Sequence, residues 1–150
     1  MATTFNIDGQ QVDGILKAPH WIQNGLDKEA IAFAEAFGQE LTKPHNPKKQ
    51  NNPDDKEALT TSQIRNVYGE VQRMKMKGFN KSDLLLLKPR LAYLTERKGT
   101  IGSKEFRKVI EKALDEVLNS NNEQVMETKF NNFANFFEAI LAYHRSFGGK

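Results

Sequence analysis

Histidine is the first side chain to look for in a chain that moves protons near neutral pH, because its ordinary pKa is about 6.5. The three histidines, His20, His45 and His144, lie in three separate segments of the sequence. None of them has a second type of metal-ligating residue at helical spacing, so the pattern predicts no metal site and no cofactor. His144 falls on a strongly periodic helix, where it fits a histidine satisfied by a hydrogen bond better than a proton-transfer group.

Other groups that carry chemistry are equally scarce. Asp54 and Asp55 form a carboxylate pair, but they fall in a segment predicted to be mobile, which cannot hold the fixed geometry of a general acid and base. The stretch Gly99-Thr100-Ile101-Gly102 lacks the lysine and the spacing of a phosphate-binding P-loop. The absence of cysteine excludes a thiol nucleophile, a thiolate metal site and a disulfide framework. The sequence therefore predicts a protein without enzymatic activity of its own.

The distribution of charge is more informative than its total. The net charge is only +3, but the stretch from Arg65 to Lys108 holds 12 basic and 4 acidic residues, a balance of +8. The rest of the chain holds 10 basic and 15 acidic residues, a balance of −5. A polyanion would be drawn to the middle third. Ordinary solvated helix faces would show the same asymmetry, so charge alone leaves nucleic-acid binding open.

On the second of the predicted helices, several basic side chains lie away from the apolar stripe. They are Arg65, Arg73 and Lys77, and Gly69 thins the helix surface between them. Guanidinium groups hold phosphate oxygens through paired hydrogen bonds. This face therefore favours contact with a nucleic-acid backbone rather than with base edges.

The third predicted helix adds an aromatic side chain to the basic ones. Arg90, Tyr93 and Arg97 follow one another at i, i+3 and i+7, which places a ring between two guanidinium groups on one helix face. Such a ring can stack on a base or on an arginine. The alternative interpretation is that Tyr93 packs in the core and that the arginines pair with Glu96 or Glu70.

Apolar residues that recur at three- and four-residue intervals predict an all-α fold, a single-domain bundle of about five helices. Thr60 and Gln63 fit a capping box that begins the second helix. The third begins at Ser82-Asp83 and the fourth at Ser103, and Pro89 is expected to kink or restart the third. The predicted helices span residues 27–41, 60–78, 82–98, 103–118 and 124–147.

Two regions lie outside these helices. Residues 1–25 form a poorly defined N-terminal arm, in which Asp8-Gly9 suggests a tight turn or a small hairpin and Trp21 pins the arm onto the helices. Residues 42–59 hold three of the five prolines and almost no apolar side chain, so this Pro/Asn-rich segment is predicted to be a mobile loop. The helical domain is accordingly expected to span residues 26–150, with this loop inside it.

The last predicted helix differs from the others because two apolar stripes run along it side by side. One stripe is centred on Phe133. The other comprises Val125, Phe136, Ala139, Tyr143 and Phe147. Such a helix is either surrounded by neighbours in the core, or it buries one stripe and offers the other to another protein. In the second case the interface residues would be Phe136, Tyr143 and Phe147.

Three stretches of the chain can be matched to a known family by their order and spacing. They are residues 59–66 (LTTSQIRN), residues 87–93 with 96–97 (LKPRLAY and ER), and residues 137–150 (FEAILAYHRSFGGK). Together they resemble the small subunit of type III-A (Csm) CRISPR effector complexes. The resemblance runs from about residue 26 to residue 150.

The resemblance implies an all-helical protein without catalytic residues, stacked in several copies beside the backbone subunits that carry the guide RNA. In that family the small subunits line the path of the guide and target RNA through basic side chains, while cleavage belongs to the backbone and large subunits. Carried over by motif, the RNA-contacting candidates are Arg65, Lys88, Arg90 and Arg97. Helical spacing adds Arg73 and Tyr93 to this set.

The expected partners are therefore guide and target RNA, the backbone and large subunits of the complex, and other copies of the chain. A different function is a protein scaffold that self-associates through its last helix, with the basic patch incidental. No stretch approaches the roughly 20 apolar residues of a membrane span, and the N-terminus lacks the basic lead and apolar run of a signal peptide. We expect a cytoplasmic protein with no membrane partner.

Overall fold

A computed structural model describes residues 3–43, 58–78, 80–98 and 100–149, and for residues 94–98 it describes the backbone alone. Across these ranges the chain forms one two-stranded antiparallel sheet and six helices. The elements in chain order are β1 (Thr4–Ile7), β2 (Gln10–Asp13), α1 (Gly14–Asn24), α2 (Lys28–Glu40), α3 (Thr61–Lys77), α4 (Lys81–Lys98), α5 (Ile101–Leu118) and α6 (Glu123–Ser146). The predicted all-α class is confirmed, with one helix more than the sequence indicated.

The chain begins with a hairpin in which Phe5 of β1 lies opposite Val12 of β2. The turn residues Asp8 and Gly9 both have positive φ angles, 53° and 83°. This combination is that of a type I′ turn, whose twist matches the twist of paired strands and which favours Asp-Gly. The small hairpin predicted from these two residues is confirmed.

Helix α1 follows the hairpin directly and was not predicted from the sequence. The side chain of Asp13 caps it by accepting a hydrogen bond from a backbone N–H of the first turn. Pro19 lies inside the helix and Gly25 follows its end. Proline and glycine usually mark turns or helix ends, so their presence conceals the apolar periodicity of a helix this short. The helix nevertheless belongs to the core, since Trp21 and Ile22 are fully buried.

Trp21 anchors the N-terminal region onto the later helices, as predicted. Its ring centroid lies 5.3 Å from that of Phe33 in α2 and 5.6 Å from that of Phe136 in α6. Gly14 leaves room for the same cluster, because a Cβ atom at that position would stand 2.1 Å from Cζ of Phe33. Residues 14–24 therefore share one core with the helices that follow.

Helix α6 is the central helix of the bundle, packed against α1, α2, α3 and α5. The stripe centred on Phe133 is buried along its length. Its buried members include Met126, Phe130, Phe133, Phe137, Ile140 and Leu141. The interpretation of the last helix as one surrounded by neighbours is confirmed.

Phe136 was expected on an exposed stripe of α6, as an interface residue, and the structure corrects this expectation. Its side chain is fully buried and stacks against Phe33, with ring centroids 6.2 Å apart. The physical reason is α1, which packs on this side of α6 and which the sequence did not reveal. Along the rest of the stripe, Tyr143 is partly buried, whereas Val125 and Phe147 are exposed.

Helices α2 and α3 begin at the residues predicted to cap them. The side chain of Asp27 accepts a hydrogen bond of 2.9 Å from the backbone N–H of Ala30. Thr60 and Gln63 form the predicted capping box, in which each side chain bonds the backbone N–H of the other. Each exchange satisfies a backbone donor that the first helical turn leaves without a partner.

The residues that cap α4 and α5 lie two and three residues before the predicted ones. Asn80 caps α4, since its Oδ1 accepts a hydrogen bond of 2.8 Å from the backbone N–H of Asp83. Thr100 caps α5, and Ser103 is the reciprocal member of that capping box rather than the cap itself. Helix α4 also continues through Pro89 instead of restarting there. The proline is exposed, so water can satisfy the carbonyl group that loses its donor.

Residues 44–57, which make up most of the predicted mobile loop, lie outside the described residues. The residues that flank this segment are joined directly, because the backbone N–H of Leu59 donates a hydrogen bond of 2.9 Å to the carbonyl of Leu41. The carbonyl of Leu59 in turn accepts a hydrogen bond of 2.7 Å from Nε2 of His144, which is fully buried. His144 is therefore the hydrogen-bonded histidine that was predicted, and its burial lowers its pKa.

Candidate nucleic-acid interface

The predicted RNA-contacting residues lie on α3 and α4, which pack side by side along one flank of the bundle. Each helix buries one stripe of side chains and leaves the opposite face to solvent. The buried side chains are Ile64, Val67, Val71 and Met74 of α3 and Leu84, Leu87 and Leu91 of α4. The exposed side of these two helices is called the α3–α4 surface below, and it is defined by Arg65, Arg73, Arg90 and Tyr93.

Arg65, Gly69 and Arg73 follow one another at four-residue intervals, which places them on one face of α3. Apart from its chain neighbours and the backbone of α3 itself, no described heavy atom lies within 4 Å of the point where a Cβ atom of Gly69 would stand. The glycine therefore leaves an open gap between the two arginines. Arg65 is exposed, and among the described residues it has no ion-pair partner. Its guanidinium group remains available to an external anion.

Glu70 joins the arginines of the two helices. Its Oε2 atom makes an ion pair with Arg73 on the same helix, and it lies 3.4 Å from the Nη1 atom of Arg90 on α4. The hydrogen bond from Arg73 is the main cause that holds the pKa of the Glu70 carboxyl below its ordinary value. The pairing of Arg90 with Glu70, considered above as an alternative to RNA contact, is therefore present in the protein, and Arg73 shares the same carboxylate.

Tyr93 does not pack in the core. Its side chain is 58% exposed on α4, one turn after Arg90. An exposed ring next to a guanidinium group provides a flat apolar surface at the edge of a basic patch. This part of the alternative interpretation is therefore excluded, while the pairing of the arginines with Glu70 is retained.

A family model described as Csm2 Type III-A matches residues 27–150. The chain belongs to the Csm2 family. No curated protein and no solved structure gives a significant match. The family identified from the three sequence stretches is confirmed, and it makes the chain a small subunit of a type III-A CRISPR complex that associates with other Csm subunits. The hairpin and α1 precede the matched segment, although α1 lies in the same core.

The structure separates the candidates that the Csm2 motifs suggested. Arg90 faces α3, whereas Lys88 faces the opposite neighbour, where its Nζ atom lies 2.8 Å from Oδ1 of Asp115 on α5. The hydrogen bond to this carboxylate is the main cause that raises the pKa of Lys88. Lys88 is thus not brought together with Arg90. Arg97 lies on the helical backbone of α4, and its side chain is outside the described residues.

Two features of this flank were missed by sequence reasoning. One is the bridging role of Glu70 between two helices, for which its i, i+3 spacing to Arg73 was the available signal. The other is an exposed apolar ridge on α4, formed by Leu85 and Leu86. The ridge was concealed because four consecutive leucines are typical of a core segment, although a helix can turn only two of them inward.

In the part of the chain that the structure describes, no group of three or more His, Cys, Asp or Glu side chains is placed to hold a metal ion. None of the helices described there is long and apolar enough to cross a membrane.

Proposed function

We propose that this Csm2-family protein contacts the backbone of guide and target RNA through its α3–α4 surface, and that it does so without cleaving the RNA. The observation that carries the proposal is the exposure of three guanidinium groups, those of Arg65, Arg73 and Arg90, on one flank of two adjacent helices. Guanidinium groups bind phosphate oxygens in pairs of hydrogen bonds. A strand of RNA following this flank would therefore meet several of them.

The arrangement favours phosphate contact over base recognition. Arg65 and Arg73 are eight residues apart, which is about 12 Å along a helix axis, so they would meet different phosphates. The position midway between them is Gly69, which has no side chain to read a base edge. Contact of this kind is independent of sequence, which suits a subunit that must accept any guide. The membership of a family of structural small subunits supports a non-catalytic role.

A triple variant tests this proposal. Replacing Arg65, Arg73 and Arg90 with alanine should weaken the binding of unrelated single-stranded RNAs about equally, as measured by fluorescence anisotropy. The slope of log K against log salt should flatten by roughly 0.7 for each phosphate that the variant no longer neutralises. The bound RNA should remain intact in the presence of magnesium. Far-ultraviolet circular dichroism should be unchanged, because all three side chains are exposed.

The matched control removes the same number of positive charges elsewhere. Lys28, Lys43 and Lys112 are exposed and lie outside the α3–α4 surface. Their triple alanine variant should keep most of the affinity of the unmodified protein. Equal decreases in affinity in the two triple variants would mean that net charge alone attracts RNA. An arginine variant that binds RNA as tightly as the unmodified protein would refute the proposed surface.

A second function, self-association, is favoured by the C-terminal end of α6. Tyr143 and Phe147 stack there with ring centroids 6.5 Å apart, and Phe147 is 39% exposed although it is a large apolar side chain. We propose this pair as a contact between copies. Sedimentation velocity of Phe147→Ala should show weaker association than Val125→Ala, a similarly exposed position at the other end of the helix. Identical sedimentation of both variants and of the unmodified protein would refute it.

A further inference from the structure

Glu70 is the shared partner of two arginines of the α3–α4 surface, one from each helix. A single oxygen atom, Oε2, contacts both Arg73, from the same helix, and Arg90, from the neighbouring helix. Two cationic groups from different elements that converge on one anionic oxygen are an arrangement that a phosphodiester oxygen would also satisfy. The carboxylate therefore occupies the position that a phosphodiester oxygen bound by the two arginines would take.

The cluster is open to exchange with an external anion. The side chains of Arg73 and Arg90 are 50% and 41% exposed, and that of Glu70 is 28% exposed. Ion pairs with this exposure are screened by water and contribute little to folding stability. Displacing Glu70 from the arginines consequently breaks only exposed side-chain contacts.

From this geometry we propose that Glu70 is an internal competitor for RNA, which holds the two-arginine site of Arg73 and Arg90 until a phosphodiester displaces it. The inference rests on the proposed RNA contact and assigns a regulatory element within it. With Glu70 in place, the three side chains carry a net charge of +1. Without the carboxylate they would carry +2 and would attract phosphate more strongly.

The competition has a consequence for ligand selection. A short or weakly held polyanion gains too little from Arg73 and Arg90 to displace the carboxylate, whereas a strand that is also held at Arg65 delivers its phosphate at high local concentration. A glutamate carboxyl is ionised throughout the neutral range at its ordinary pKa, and the hydrogen bond from Arg73 lowers the pKa of Glu70 further, so the competitor stays charged. The site would thus favour strands that occupy the whole flank.

The substitution Glu70→Gln tests the inference, because glutamine has the same shape without the charge. Binding of a single-stranded RNA should become roughly two- to five-fold tighter, the range expected for releasing an exposed ion pair. The log K against log salt slope should steepen by up to about 0.7, since one more phosphate is neutralised. In the triple variant Glu70→Gln, Arg73→Ala, Arg90→Ala, the gain should disappear.

Glu29→Gln is the matched control. Glu29 pairs with Lys17 at 3.4 Å and is 28% exposed, as Glu70 is, but it lies on α2. Its substitution changes the net charge by the same amount and should leave the RNA affinity nearly unchanged. Equal gains in the two variants would overturn the inference, because they would report net charge alone.

The remaining outcomes separate this inference from the proposed function. If Arg73→Ala, Arg90→Ala weakens binding while Glu70→Gln leaves it unchanged or weakens it, the RNA surface stands and the competitor role is refuted. A weakening in Glu70→Gln would mean that the carboxylate positions the arginines. If the double arginine variant binds RNA as well as the unmodified protein does, both the competitor and the contribution of Arg73 and Arg90 to the surface are refuted.

Discussion

Two flanks of the bundle around the central helix α6 are built in different ways. On the side covered by α1 and α2, the contacts are apolar and close, with the fully buried rings of Trp21, Phe33 and Phe136 in mutual contact. Gly38 lets α2 approach α6 so closely that an added Cβ atom would stand 2.8 Å from the backbone nitrogen of His144. This side is stabilised by close apolar packing, so it tolerates little change in the volume or shape of its side chains.

The flank formed by α3, which packs on α6, and by α4, which packs on α3 and α5, also has a buried apolar seam, but its outer surface is joined by exposed ion pairs and hydrogen bonds. Lys75 of α3 reaches Oδ1 of Asn135 at 2.8 Å on α6, and Glu70 links Arg73 to Arg90. Exposed pairs of this kind can exchange partners at little cost. The comparison therefore predicts that substitutions on the α1–α2 side change stability, whereas substitutions on the outer α3–α4 surface change binding.

The largest effect is expected from removing residues 1–26, which precede the segment matched by the family model. The deletion would uncover Phe33 and Phe136 and remove four buried apolar side chains, those of Val12, Ala18, Trp21 and Ile22. Ile22 alone contributes about 1.5–3 kcal/mol by burial, and the larger Trp21 contributes more. We expect the shortened chain to lose cooperative thermal unfolding, as followed by circular dichroism. A sharp melt close to that of the full chain would show that the α1–α2 side does not depend on α1.

The next largest effect is expected from Phe136→Ala. The side chain is fully buried between α1 and α2, so its removal should lower the free energy of unfolding by about 3–5 kcal/mol through the cavity left behind. Urea denaturation measures the change. Phe147→Ala on the same helix is the control, and it should cost far less because that ring is already partly in solvent. Similar decreases in stability in the two variants would contradict the assignment of Phe136 to the core.

Sequence alone predicted the helices in which a regular apolar periodicity coincided with residues typical of helix ends, and these make up most of the fold. The capping box of Thr60 and Gln63 and the Asp8-Gly9 turn are local features, fixed by residues a few positions apart, and both were predicted correctly. Helix α1 is short and contains Pro19, so its helical state depends on burial of Trp21 against helices far away in the sequence. Such tertiary stabilisation leaves no local pattern.

The candidate site was predictable in the same limited sense. Helical spacing placed Arg65, Arg73 and Arg90 on exposed faces, because exposure depends only on the position of the apolar stripe. Which carboxylates those arginines would meet depended on how α3 and α4 pack. Glu70 could be considered as a partner from its distance of three residues to Arg73, but its second contact, with Arg90, joins two helices and required the tertiary structure.

His144 provides a test at the junction of the two sides, since it binds the residue that leads into α3. Burial lowers its pKa from the ordinary value of 6.5, so below that pH the unfolded chain binds a proton that the folded chain does not. The free energy of unfolding should then fall as the pH is lowered below 6.5, by at most about 1.4 kcal/mol per pH unit.

Urea titrations between pH 7.5 and 5 measure this dependence. His144→Gln should remove that part of the slope and should be less stable at pH 7, because it disturbs the hydrogen bond to Leu59. His20→Gln, at an exposed position, is the control and should keep the slope. If the slope survives in His144→Gln, another group is responsible and His144 does not couple the two sides.

The smallest effect is expected from Lys88→Gln, which sharpens the comparison within α4 itself. The ion pair of Lys88 with Asp115 is exposed on both partners, so its removal should change the free energy of unfolding by less than about 1 kcal/mol.

Because Lys88 faces α5 and Arg90 faces α3, the two substitutions should differ in their effect on RNA binding even though the residues are only two positions apart. Arg90→Gln should weaken RNA binding and flatten its salt dependence, whereas Lys88→Gln should leave both nearly unchanged. If Lys88→Gln weakens binding as much as Arg90→Gln does, RNA also contacts the side of α4 that faces α5. The interface would then include Lys88, which the structure shows paired with Asp115.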